Sequence, residues 1–181
     1  MTTTDRSLYS AHVGSQAHRI VARALAAGLS ADRAQRTLEL TRHARSVFEE
    51  HPISYRTREA FLDAVTAAGV YLHRFRPLEP WCLIGSEAPV GTVRFDVVHE
   101  LDRLGVLVDE IKLGVGRASE AAVRKQIESY LEHGLLEWGD QFIGVRLCAV
   151  HEPLQSRLYL PKRTRSVLFA ESDTAKHLVM R

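Results

Sequence analysis

The periodicity of the chain changes once, at Trp81, and that change restricts the fold more than any other feature. Downstream of it, WCLIG (81–85), GTVRFDVVHE (91–100) and GVLVDEIKLG (105–114) are short runs rich in β-branched and aromatic residues, which predicts three consecutive strands. Upstream, apolar residues recur at helical spacing. Ile20, Val21, Ala24 and Leu25 define a helix over 15–29, with Gly14-Ser15 as its start and Gly28 near its stop. Ser30 caps a second helix running to about Glu50, with Asp32 in its first turn and His51-Pro52 ending it. A third covers Arg56 to Gly69 and buries Phe61, Leu62, Val65 and Ala68. After the strands, Ser119 to Trp138 returns to helix with a stripe of Val123, Ile127 and Leu131. FIGVRLCAV (142–150) reads as a strand buried on both faces, and SRLYL (156–160) as a last element before PKRTRS. Helices, three strands, a helix and then strands imply an α/β sandwich around a central mixed sheet. At 181 residues the chain suits a single domain: a helical part over 1–80, a core over 81–160 and a basic extension over 161–181.

Composition excludes little. A net charge of +2 argues against a strongly basic tail or an acidic disordered segment. Divided along the chain it becomes +3 over 1–80, −4 over 81–160 and +3 over 161–181, a layout compatible with an acidic metal site approached by a polyanion. Cys82 and Cys148 lack a CxxC partner, so two buried, reduced thiols are expected, with neither a zinc knuckle nor a disulfide framework. MTTTDRSLYS at the N-terminus has no apolar signal-peptide region, and no apolar run approaches the ~20 residues of a membrane span, so a soluble, cytoplasmic protein is expected.

The chemistry concentrates in the second and third strands. Joined as a hairpin with its turn near Arg103, they bring Asp96 opposite Glu110 to within a residue, because hairpin loops vary in length. Alternation puts Glu110 and Lys112 on one face and Asp109 and Ile111 on the other. Two facing carboxylates repel unless one takes up a proton or a cation sits between them. A hard divalent ion, Mg²⁺ or Mn²⁺, resolves that repulsion with oxygen ligands. A lysine two residues beyond such a glutamate can reach an activated water or the charge that develops on phosphorus.

GTVRFDVV, VDEIKLG and KQIESYL together resemble the PD-(D/E)xK phosphodiesterase superfamily over residues 81–160, with Asp96 as the first acid and Glu110-Ile111-Lys112 as the ExK triplet. Gln126 and Tyr130 resemble the Q-x-x-x-Y signature of RecB-like nucleases, and Gly14-Ser-Gln-Ala-His18 resembles their G-x-x-x-H motif. The resemblance implies a restriction-endonuclease-like core, preceded here by the helical segment. It also implies a Mg²⁺ or Mn²⁺ ion held by Asp96, Glu110, the Ile111 carbonyl and His18, with Glu59 the alternative to His18. Lys112 would position the attacking water, while Gln126 and Tyr130 order the site. Arg94, Arg117, Arg124 and Lys125 are candidate phosphate contacts, and Lys162, Arg163 and Arg165 form a further basic tract. The iron–sulfur cysteines of several RecB-like enzymes are absent, so no cluster is expected, and no P-loop motif occurs. DNA is the expected partner, with a second copy of the chain, or a separate helicase, repair or defence protein, as further candidates. The alternatives are a nuclease fold kept as a non-cleaving binding or assembly module, and an unrelated α/β domain in which Asp96 and Glu110 lie far apart.

Overall fold

In the computed structural model, residues 3–30, 32–53, 57–77, 79–114 and 120–161 are described, the side chains of residues 3–7 apart. Three helices come first: α1 (Thr3–Ala27), α2 (Arg33–Glu50) and α3 (Thr57–Arg74). They are followed by strands β1 (Trp81–Val90), β2 (Val93–Leu101) and β3 (Gly105–Lys112), helix α4 (Glu120–Trp138), then β4 (Phe142–Ala149) and β5 (Arg157–Tyr159). The five strands form one mixed sheet in the order β1-β2-β3-β4-β5, antiparallel except for the parallel β3–β4 pair that α4 bridges. The architecture is therefore α/β, with a mixed sheet flanked by helices.

Each face of the sheet closes its own core. On one side Val97, Ile111, Cys148 and Val150 meet α1–α3, whose stripe of Val13, Ala17, Ile20, Val21 and Ala24 is buried. On the other, Phe95, Val98, Val106, Val108, Val145 and Leu147 meet Val123, Ile127 and Tyr130 of α4. β4 contributes to both cores, as a run apolar on both faces apart from Arg146 predicts. No helix of the described residues is long and apolar enough to cross a membrane.

Several expectations are corrected. Helix α1 begins at Thr3 and runs through Gly14, because the stripe from Val13 to Ala24 is continuous and its burial outweighs the roughly 1 kcal/mol that an interior glycine costs. Asp32, rather than Ser30, caps α2, accepting from the Gln35 N–H at 2.7 Å; Ser30 Oγ instead accepts from the Asp32 N–H. Helix α3 continues past Gly69 to Arg74 and buries a small-residue face, Ala60, Ala64, Ala67 and Ala68, leaving Leu62 exposed. Those alanines let α3 lie close against α1, so the larger residues move to the flank. On α4 the buried stripe is Val123, Ile127, Tyr130 and Gly134, with Leu131 only partly buried. Cys82 is exposed, since it lies on the edge strand β1.

Gly134 marks how closely α4 approaches the sheet: a Cβ there would lie 2.3 Å from Cζ of Phe142. Gly134→Ala is expected to lose about 1–3 kcal/mol through overpacking, although alanine is the better helix former. Urea denaturation measures the difference.

Candidate functional site

The β2–β3 ladder runs from Leu101↔Gly105 to Val97↔Asp109 and stops there. One residue further, the Asp96 carboxylate takes over from the backbone: its Oδ2 accepts the Ile111 N–H at 2.7 Å. The turn that sets this register has Asp102 and Arg103 in left-handed conformation, φ 39° and 59°. Asp96 and Glu110 are thus neighbours, and the far-apart arrangement of a chance motif does not occur. Asp96 is buried, and Glu110 is fully so.

Burial and the charge of Asp96 push the Glu110 pKa up, against the opposing pull of Lys112 and His18. The Lys112 ammonium forms an ion pair with Glu110 Oε1, but neither carboxylate oxygen of Glu110 receives a well-aligned hydrogen bond. Lys112 balances the buried charge on one oxygen only in part, since burial and Asp96 still hold the Glu110 pKa up, and a further cation would balance it more fully.

His18 reaches the site from α1. A carbonyl oxygen can only accept, so the 2.8 Å contact between His18 Nε2 and Ile111 O fixes the proton on Nε2 and turns Nδ1 toward the carboxylates. Nδ1 lies 3.3 Å from Asp96 Oδ1 and 3.9 Å from Glu87 Oε1. Burial would lower the His18 pKa. The hydrogen bond and charge of Asp96, the charge of Glu110 and the bond to Ile111 outweigh it and raise the pKa to about 9, so without metal the imidazolium stands in for a cation.

Tyr130 is held from both sides. Its hydroxyl donates to Arg94 O at 2.5 Å and accepts from Gln126 Nε2 at 3.0 Å. Burial and the nearby charges of Glu110 and Asp96 push its pKa far up, so it stays a neutral phenol. Gln126 and Tyr130 therefore brace the stretch of β2 just before Asp96.

A cleft of about 650 Å³ opens over this group, lined by His18, Arg19, Glu87, Arg94, Lys112 and small residues of α1 including Gly14. Of the residues expected from sequence, His18, Asp96, Glu110, Ile111 and Lys112 come together, with Gln126 and Tyr130 behind them and Arg94 at the rim. Glu59 is exposed on the first turn of α3 and does not line the cleft. Arg124 and Lys125 are exposed on α4, also outside the lining. Arg117, Lys162, Arg163 and Arg165 lie outside the described residues.

Three features escape the motif. Arg19 lines the cleft one residue beyond His18. Glu87 stands across from Asp96, bracketed by the pairs Ser86↔Val97 and Ala88↔Phe95. The signal for it was the turn at Gly91-Thr92, whose hairpin register places position 87 opposite 96. On the reverse face of β3, the fully buried Asp109 accepts from Tyr71 Oη at 2.6 Å and from Arg146 Nε and Nη2 at 2.8 and 2.7 Å. Arg146 also donates to Phe75 O, and His99 Nε2 lies 3.4 Å from Asp109. This cluster ties the strand that carries Glu110 and Lys112 to α3 and β4. Compared with protein-family models, with curated proteins and with solved structures, the chain shows no significant match.

Proposed function

We propose that the chain is a divalent-metal-dependent nuclease of the PD-(D/E)xK type, with a restriction-endonuclease-like core, that hydrolyses phosphodiester bonds in DNA. The observation that carries this reading is Glu110: a fully buried carboxylate beside Asp96 and His18, paired with Lys112, which stands two residues later at the cleft. The donor set suits Mn²⁺ or Mg²⁺, since carboxylate oxygens are hard ligands and a neutral imidazole favours Mn²⁺ of the two. Asp96, Glu110 and His18 would hold the ion.

A bound ion supplies Lewis acidity toward water and the scissile phosphate. The protein supplies the rest. The Lys112 ammonium lies within the cleft lining, where it can donate to the attacking water and to a non-bridging phosphate oxygen as charge builds there. Arg94 and Arg19 line the same cleft and offer cations to the phosphates on either side of the break. Tyr130 and Gln126 hold the Arg94 carbonyl, and through it the start of β2, in place. The direct test incubates the protein with plasmid, linear duplex and single-stranded DNA in Mn²⁺, beside Glu110→Ala and Lys112→Ala. Cleavage that survives both substitutions rejects the proposal.

Binding of an ion to this folded group of ligands also predicts a stability change. Mn²⁺ at a hundredfold excess over its Kd should stabilise the fold by about 2.7 kcal/mol, a rise in Tm of about 5–10 °C for a chain of this size. EDTA should reverse it. Thermal unfolding followed by circular dichroism reads both.

A further inference from the structure

The geometry points to Glu87 as a ligand of the metal ion, a third carboxylate that lies outside the Asp96 and Glu110-Ile111-Lys112 pattern; this inference rests on the metal-dependent reading above. One ligand atom from each of His18, Glu87 and Asp96 falls within 4.8 Å of the others. Two atoms each about 2.1 Å from a common ion are separated by about 3.0 Å when adjacent and about 4.2 Å when opposite. The separations from His18 Nδ1, 3.3 Å to Asp96 and 3.9 Å to Glu87, fall within that interval. A second observation is Glu110, a fully buried carboxylate next to Asp96 on the paired strand and matched on Oε1 by Lys112, which adds negative charge behind the same group.

Glu87 is also placed in an unusual way. Its φ of 49° is left-handed, a conformation that a glutamate in a strand seldom adopts. Its carboxylate is about one-third exposed and faces the cleft lining. Arg94 lies 3.7 Å from it with a side chain 70 % exposed, an ion pair weak enough for a divalent ion to displace. Displacement would release the Arg94 guanidinium into the cleft, where a substrate phosphate can take it up.

The test is a Mn²⁺ titration of the whole chain, read by calorimetry and by loss of the free Mn²⁺ resonance signal. Glu87→Gln is expected to weaken binding about tenfold or more. Glu128→Gln, which removes the same charge from the exposed face of α4, should leave binding unchanged. Glu87→Asn tolerates the left-handed backbone and should show the same loss, which keeps the test intact if the glutamine variant folds poorly. Equal binding by the unsubstituted protein and both Glu87 variants, or equal weakening by Glu128→Gln, overturns the assignment of Glu87 while the nuclease reading stands. No binding by the unsubstituted protein overturns both.

Discussion

Glu110→Gln and Lys112→Ala should each lower single-turnover cleavage of a labelled oligonucleotide by at least about a hundredfold, and for different reasons. Glu110→Gln removes a ligand charge, so Mn²⁺ affinity should fall together with rate. Lys112→Ala removes a donor that acts on developing charge, so metal binding should persist while the chemical step is lost. Combining the two should cost little more than the worse of them, because they act as one unit. The stability readout separates function from scaffolding. Burial and the Asp96 charge outweigh Lys112 and His18 in raising the Glu110 pKa, so in EDTA Glu110→Gln should melt no lower than the unsubstituted protein, the sign expected of a charge kept at a cost to the fold. Lys112→Arg should fail to rescue, because a wide, planar guanidinium cannot replace a compact ammonium against Glu110.

Asp109→Asn should have the opposite character: a large loss of stability. The carboxylate accepts from Tyr71 and twice from Arg146, and the guanidinium is itself buried. Removing its charge leaves the buried Arg146 guanidinium with only neutral acceptors, the Asn amide oxygen and the Phe75 carbonyl, among these partners, at a cost of about 3–5 kcal/mol. Asp109→Leu combined with Arg146→Met should recover much of that, since an apolar pair owes no desolvation. Burial would raise the Asp109 pKa, but the charge of Arg146 and the hydrogen bonds of His99 and Arg146 hold it well below the carboxylate range. A pKa depressed by folding gives stability that is complete above the unfolded value of about 3.9 and is lost as pH falls below it. The stability difference between the unsubstituted protein and Asp109→Asn, read from urea midpoints, should therefore hold steady from neutrality to about pH 4–5 and then shrink as the pH falls further.

The carboxylate pair was legible because a tight hairpin leaves little freedom: once the turn near Arg103 is placed, Asp96 and Glu110 must be neighbours. The same reasoning would have found Glu87 had the first strand been carried past Gly85, but a proline at 89 removes a ladder donor and argues against a strand there. Pro89 is accommodated because β1 is an edge strand. Arg146 was hidden for a related reason. The run FIGVRLCAV identifies a strand buried on both faces, and a charge inside such a strand requires a buried partner, but nothing local says which. Only the parallel register Asp109↔Arg146 supplies it. His18 depended on the helical layer folding back over the sheet, which no local pattern encodes.

That long-range bond from His18 to Ile111 spans 93 positions and bears on how the chain is made. During synthesis α1 emerges before the sheet and can form as a helix while the strands are still in the ribosome. Until β3 pairs and the two layers close, the imidazole has no carbonyl to fix its tautomer and no carboxylates to face. A chain made only as far as α3 therefore carries His18 and Arg19 but none of the site's geometry, which arrives only when the sheet closes against the helical layer.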